Sequence, residues 1–385
     1  MPAGPKETIW FAEPHTIAKI DILEAYLVAY FQILGRSRPG QRLLYVDGFA
    51  GPNQYTNHPY GSPTAAINAA KTAVASAANS WIAGQIHFAF VEQHEDRYQS
   101  LLSKLPPSAD VPRSQIHTYN MDFTQALPLI KRAVPEPFGT NSPLFVFIDP
   151  FGATGAPFDR VAEILNSPCS EVLINLDADG VARIFDAKKA ANHKEVLDKV
   201  FGDSHWQTEL QDSQDFDLRC RKVLQLYKDR LRSLPGIRYI FEVEMQGAAR
   251  KLNYFLVFAS KHPLGLIKMK EAMKTIAQNG TYKFADADVG QTALFRSDEP
   301  QNYHMKLYEA FRGKVVAYDS QDDDITAYAL NYSPFVNAKS MLTLLEKDGL
   351  ITAVSSDSKR KRGTFNATVR AVNFHGKATT DGFIF

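Results

Sequence analysis

Between Pro14 and Gly35 the apolar residues Ile17, Ile20, Leu23, Tyr26, Leu27, Tyr30, Phe31 and Leu34 recur at intervals of three and four. That spacing predicts a long amphipathic helix, with Gly35 closing it. Beyond it the pattern changes to short, almost uninterrupted apolar runs at 42–47, 86–92, 115–122, 144–149 and 171–177. Helical patterns at 62–78, 95–104, 123–133 and 157–166 separate them. Apolar runs of this length suit strands buried on both faces, and strict alternation with helices predicts a parallel sheet covered on both sides. After a mostly helical insertion at about 181–234, the runs 237–245 and 251–260 are joined by the short loop "QGAAR". Such a link is too short for a parallel crossover, so these two strands should pair antiparallel.

The expected fold class is therefore α/β, a Rossmann-like sheet of parallel strands plus a late antiparallel hairpin, occupying residues 1–285. From about Ala317 the character changes to a helix-like stretch at 335–351, a basic turn and the strand-like "FNATVRAVNF" at 365–374. Helix, charged hairpin and strand together predict a small winged-helix-like module within 286–385.

In an open parallel sheet, ligands gather beyond the carboxyl ends of the strands. Read this way, the first four strands end at Asp47, Glu92, Asp122 and Asp149. Four acidic strand ends in succession are hard to assign to packing. "DGFAGP" after the first strand is neither GxGxxG nor GxxxxGK[ST], which disfavours a simple dinucleotide or triphosphate site.

Bulk composition narrows the classes. The 385 residues are 45% hydrophobic and 22% charged, with 43 basic and 42 acidic side chains. A near-neutral chain does not grip nucleic acid by net charge, so any basic surface is local. The clearest is "SKRKRG" at 358–363, with Lys359, Arg360, Lys361 and Arg362 at the expected wing tip. Phosphate contacts there would each release counterions. An acidic partner protein fits the same wing. No apolar run approaches the roughly 18 residues of a membrane span, and the amino terminus lacks a secretory pattern, so the expected location is the cytoplasm. Cys169 and Cys220 are far apart, and no His and Cys cluster has zinc spacing, so no metal site is expected.

The fourth strand end, "FIDPFG" at 147–152, resembles the [DNS]PP[YFW] motif of enzymes that methylate exocyclic amino groups in nucleic acids. In that chemistry a carboxylate and a neighbouring carbonyl accept hydrogen bonds from the target amine, and an aromatic ring stacks on the extruded base. Asp149 and Pro150 would supply the acceptors and Phe151 the stack. Phe151 stands where a second proline is usual and Gly152 where the aromatic is usual. Cytosine-ring methylation is excluded, because it needs a thiolate after this strand and neither cysteine lies there.

With S-adenosylmethionine as the ligand, Gly48 and Gly51 would let the backbone pass close to it, and the turn of Asp47, Gly48, Phe49, Ala50 and Gly51 would direct N–H groups at its carboxylate. Glu92, followed by Gln93, would accept from the ribose hydroxyls. Asp122 would take the adenine amino group, with Phe123 against the ring.

The chain resembles the three-Cys-motif partner protein family, TcmP, through "HTIAKIDILEAYLVAY", "YVDGFAGP", "GSPTAA", "FVEQ", "FVFIDPFG" and "YFLVFASKHPLGLIKMK". It is more distantly similar to bacterial ribosomal RNA adenine methyltransferases. The resemblance implies a class I methyltransferase fold, S-adenosylmethionine as cofactor and a partner carrying three cysteines. It also implies that Gly61 and Ser62 face the cofactor, and that His15 and Lys19 approach its methionine carboxylate unless they form a solvated helix face. Asp177 and Asp179 are expected to rim the substrate cleft. Two functions follow from the sequence: an amino-methyltransferase acting on DNA or RNA, or a non-catalytic adaptor of the same fold. A nuclease would require a metal held by carboxylates on separate strands, which is the weakest fit.

Overall fold

The computed structural model describes residues 7–152, 155–186, 189–209, 215–246, 252–276, 283–285, 303–319 and 322–377. In chain order its elements are α1 (Pro14–Ser37), β1 (Leu43–Asp47), α2 (Ser62–Ala77), β2 (Ile86–Val91), α3 (Glu95–Lys104), β3 (Ser114–Tyr119), α4 (Phe123–Ala133), the short α5 (Glu136–Gly139), β4 (Leu144–Ile148), α6 (Phe158–Leu165), β5 (Ser170–Leu176) and α7 (Ala178–Ile184). They continue with α8 (Lys194–Phe201), α9 (Phe216–Arg232), β6 (Tyr239–Gln246), β7 (Leu252–Ser260), α10 (Pro263–Ile276) and β8 (Lys283–Ala285). The carboxyl-terminal part holds α11 (His304–Phe311), β9 (Val315–Ala317), α12 (Asp324–Tyr332), α13 (Lys339–Lys347), β10 (Ile351–Ser355) and β11 (Val369–Phe374).

Helix α1 starts with a proline in its first turn, where the missing N–H costs nothing. It does not end at Gly35 as the sequence suggested. A Cβ there would fall 2.3 Å from Cζ3 of Trp81, so this glycine admits an indole ring against the helix.

The main sheet has the order β3-β2-β1-β4-β5-β7-β6-β8, with β7 antiparallel to both β5 and β6. The expected hairpin forms, but β7 inserts between β5 and β6. This strand order, five parallel strands and a reversed β7 inside the far edge, is the Rossmann-like arrangement of class I methyltransferases. The chain leaves β1 for β2 and β3 on one side and returns to β4 and β5 on the other, which makes the β1/β4 junction the switch point.

Alternation along the strands sorts the core into two layers. Leu43 and Tyr45 of β1 and Phe145 and Phe147 of β4 pack against α1, α2 and α10. Leu44, Val46, Val146 and Ile148 face α4, α6, α7 and α9. The next residues in the first series are Asp47 and Asp149, so both carboxylates emerge on the α1 side of the switch point.

A third core belongs to α11–α13 and a three-stranded antiparallel sheet of order β10-β11-β9. It is joined to the main sheet by buried polar contacts. Asn331 accepts from Ile240 N at 2.8 Å and donates to Arg238 O at 2.9 Å. Lys270, fully buried, donates to the carbonyls of Ser333 at 2.6 Å and Phe335 at 3.0 Å. Ser333 closes α12, so this ammonium also meets the negative end of a helix.

The basic turn between β10 and β11 is less free than its composition implied. Arg360 forms a two-bond pair with Glu346 of α13 at 2.8 and 2.7 Å, and its side chain is 9% exposed. Arg362 donates to the Glu346 and Lys347 carbonyls at the end of α13. Both arginines therefore hold the turn on α13, although Arg362 is exposed like Lys359 and Lys361. Burial alone would raise the Glu346 carboxyl, but the Arg360 bonds and the Gly363 N–H outweigh it and hold it below its ordinary value. Glu346→Ala, which leaves the guanidinium buried without its carboxylate, is expected to cost about 3 kcal/mol. Urea denaturation measures this, and Arg360→Met in the same background should recover part of the loss.

Candidate active site at the switch point

The β1/β4 junction brings together most of the residues singled out above. Asp47 is fully buried, and its Oδ1 accepts from Phe49 N at 3.2 Å. Its Oδ2 is buried without a hydrogen-bond partner. Burial is the main cause that lifts its pKa to about 7; Ser62 and the Phe49 N–H oppose the rise, and Asp149 and Glu92 add to it.

The glycine turn does not present its donors to a ligand. Gly48 N bonds Phe147 O at 3.0 Å, Ala50 N bonds Val91 O at 2.8 Å and Gly51 N bonds Glu92 Oε2 at 3.0 Å. With Phe49 N on Asp47, all four N–H groups are satisfied by the protein. Two glycines have packing reasons of their own. A Cβ on Gly48 would lie 2.9 Å from the Phe123 ring, and one on Gly61 would lie 3.1 Å from Asn53 Cα. Gly51 adopts φ +63°, which favours glycine.

Asn53, which the motif search missed, fastens the loop to the start of α2. Its Oδ1 accepts from Gly61 N at 3.2 Å and Thr64 N at 3.1 Å, and it is 1% exposed. Glu92 accepts from Gly51 N and, at 2.7 Å, from His94 N, so its carboxylate is oriented by two backbone donors. Gln93 beside it is exposed.

Asp122 lies three residues beyond β3 and caps α4, accepting from the Thr124 N–H at 2.8 Å and from its hydroxyl at 2.5 Å. Phe123 is 1% exposed and packs on Phe49 and Gly48 within the core. A ring enclosed in this way cannot offer a face to adenine, so that expectation is corrected. The cause is the helix cap, which turns residue 123 inward.

Asp149 is the best-defined group. Lys19 of α1 pairs with Oδ2 at 2.5 Å, and Asn175 of β5 donates to Oδ1 at 2.7 Å. Lys19 is 6% exposed, so it is no solvated helix residue. It faces Asp149 directly, and its ammonium lies 5.2 Å from the Tyr254 ring centre. His15 lies against the same ring edge at 5.6 Å. Asn175 was missed, although an asparagine within the apolar "EVLINLD" was the available signal. Its Oδ1 is a buried acceptor without a partner. A carboxylate has about four acceptor positions, so Lys19 and Asn175 fix Asp149 without exhausting it.

Pro150 is buried and Phe151 is 50% exposed. Gly152 has φ +87°, a reason for glycine where the motif usually carries an aromatic. The Phe151 ring meets Trp10 edge-on at 5.7 Å, and the Arg97 guanidinium lies over both rings at 5.3 and 4.9 Å. Trp10 also contacts Tyr55 at 5.5 Å. Its segment is held to the 51–60 loop by Thr56 N to Trp10 O at 3.0 Å and by a reciprocal Ala12–Asn57 pair at 2.7 and 2.9 Å. Asp177 caps α7 through Gly180 N at 2.8 Å, and Asp179 pairs with Arg183 at 2.5 Å. Among the described residues no group of three His, Cys, Asp or Glu could hold a metal, and no helix is long and apolar enough to cross a membrane.

No protein-family model matches the chain, and no curated protein sequence does. Among solved structures it is similar to protein LPL1258 of Legionella pneumophila, at 13% identity over 68% of this chain and 91% of that one, with a TM-score of 0.35. It is also similar to an O-methyltransferase from Bacillus cereus in complex with SAH, at 14% identity over 62% and 80%, TM-score 0.33. A third is cofactor-bound Rv0187 from MTB, at 13% identity over 65% and 90%, TM-score 0.31. Likenesses of this size say nothing of substrate or mechanism.

The raised Asp47 value has a measurable consequence. Its folded-state value lies above the unfolded one, so ionisation destabilises the fold progressively from about pH 4 to about pH 7, and fully above that. Asp47→Asn should therefore raise the unfolding free energy at pH 8 by roughly 1 to 3 kcal/mol and leave it nearly unchanged at pH 4. Thermal unfolding at the two pH values checks this.

Proposed function

We propose that the chain transfers a methyl group from S-adenosylmethionine to an exocyclic amino group of DNA or RNA, adenine being the best match. The observation that carries this reading is Asp149, clamped by Lys19 and Asn175 beside buried Pro150 and half-exposed Phe151 at the switch point. A fixed carboxylate with remaining lone pairs is suited to accept from a target amine, which keeps the nitrogen lone pair aimed at the incoming methyl.

The cofactor would supply an electrophilic methyl on a sulfonium. The residues present fit it through their acceptors. Asp47 Oδ2 is a buried carboxylate oxygen without a partner. An ammonium group there would relieve an unfavourable burial and drive Asp47 to its ionised form. Glu92 is oriented at the end of β2, as acceptance from a ribose diol requires. The carboxylate of the cofactor is left to a cation, and Lys19 is the buried one at this edge.

The carboxyl-terminal order α11–β9–α12–α13–β10–β11 supports a winged-helix reading, with α13 beside the wing. In this reading Lys359 and Lys361 meet nucleic-acid phosphates, and Arg360 and Arg362 hold the wing on α13. In this reading the TcmP resemblance adds a three-cysteine protein as a second component of the complex.

One observation favours the adaptor instead. Trp10 lies beside Gly51, 3.9 Å from where a Cβ would stand, and the turn's N–H groups are already satisfied. A cofactor-free adaptor needs no more than this closed arrangement.

Isothermal titration with S-adenosylmethionine separates the two readings: micromolar binding that weakens below about pH 7 supports the enzyme, and no heat at millimolar cofactor supports the adaptor. Methyl transfer to total RNA or DNA, read by nucleoside mass spectrometry, should fall at least 100-fold in Asp149→Ala or Phe151→Ala. Lys359→Ala and Lys361→Ala should each lower the salt slope of nucleic-acid binding by about one unit.

A further inference from the structure

A cavity of about 410 Å³ opens at the opposite, amino-terminal edge of the sheet, away from the carboxylates. It lies between the second half of α1, the start of β5 and the start of α10. This volume is within the range of small-molecule sites, at roughly 300 to 1,000 Å³. Its walls are largely apolar, with Tyr30, Ile33 and Leu34 on one side and Leu264 on the other.

The polar groups of the cavity are unevenly matched. Glu171 is sealed in: Tyr26 OH donates to one oxygen and Ser260 Oγ donates to the other at 2.7 Å. Gly265 backs onto the same carboxyl, where a Cβ would fall 2.0 Å from Oε1. Register explains the arrangement, since Glu171, the second residue of β5, lies directly opposite Ser260. The cations are not so matched. Arg38 is half-buried and, through Nη2, meets the Cys169 thiol at 3.6 Å, a weak acceptor. Lys261 donates to the Ser167 carbonyl at 2.8 Å and carries three N–H groups in all. Burial also pushes Lys261 below its ordinary value, which an anion would reverse. Lys268, also at the rim, is already paired with Glu271 at 2.8 Å.

We propose that this cavity is a second ligand site for a small amphiphilic anion, its apolar body against Tyr30, Ile33, Leu34 and Leu264 and its acidic head paired with Arg38 and Lys261. Glu171 does not recruit an organic cation, because both its oxygens already accept from hydroxyls and Gly265 packs over Oε1. The site is independent of the chemistry at the switch point.

Titration of the full chain with 8-anilinonaphthalene-1-sulfonate tests this. Saturable one-to-one fluorescence is expected at about 10 to 100 μM. Arg38→Gln and Lys261→Met should each weaken it about tenfold. Leu34→Trp, which fills the cavity, should abolish it; Ser37→Trp at the exposed rim is the second filling variant if the first fails to fold. Decanoate and 1-naphthoate should compete, and which of them competes better tells an acyl from an aryl body. Binding should also slow alkylation of Cys169 by N-ethylmaleimide, with buried Cys220 as internal control. A linear, unsaturable signal overturns the proposal. So does equal binding of neutral N-phenyl-1-naphthylamine that is indifferent to Arg38→Gln, or displacement by S-adenosylhomocysteine.

Discussion

The ion pair between Lys19 and Asp149 is the contact on which the candidate site depends. It ties the first helix of the chain to the end of its central strand across the top of the aromatic layer. Asn175 from the neighbouring strand completes the clamp, so one carboxylate is held by two elements distant in sequence. A largely desolvated pair of this kind is weak evidence for stability, because desolvation offsets its attraction. Its value is positional: it fixes the direction of a carboxylate next to an exposed aromatic ring.

Around that pair the strand ends carry two further buried carboxyl groups, Asp47 and Glu92. Among the described residues, one buried oxygen of Asp47 has no hydrogen-bond partner, and neither has the side-chain oxygen of Asn175. Buried acceptors left without a partner cost free energy. The turn above them is different. Its N–H groups are consumed by Phe147, Asp47, Val91 and Glu92, so the protein itself satisfies the turn's donors. The groups the site leaves open are acceptors and cations, whereas glycine-rich nucleotide loops leave amide donors open.

The carboxyl-terminal module shows how a charge run divides between fold and surface. "SKRKRG" reads as four equivalent cations, yet Glu346 on α13 takes Arg360, and the end of the same helix takes Arg362. Arginine forms two parallel bonds to a carboxylate and lysine does not, which explains why Arg360 turns inward onto Glu346 while exposed Arg362 reaches only carbonyls. Lys270 repeats the principle at the junction with the main sheet, where the end of α12 receives a buried ammonium.

Periodicity along the chain determined the order of elements. The uninterrupted apolar runs became β1 to β5, and the short "QGAAR" link became an antiparallel pair. Parity also determined that Asp47 and Asp149 share one face, since each lies two residues beyond an inward aromatic, Tyr45 or Phe147. Tertiary structure alone decided which partners those carboxylates have. Lys19 and Asn175 lie 130 and 26 residues from Asp149, and no local rule links them. It likewise decided that Phe123 is core, that Gly35 admits Trp81, and that Trp10 lies beside Phe151. Each is a contact between distant segments, and spacing along a chain encodes which side a residue faces but not what waits there.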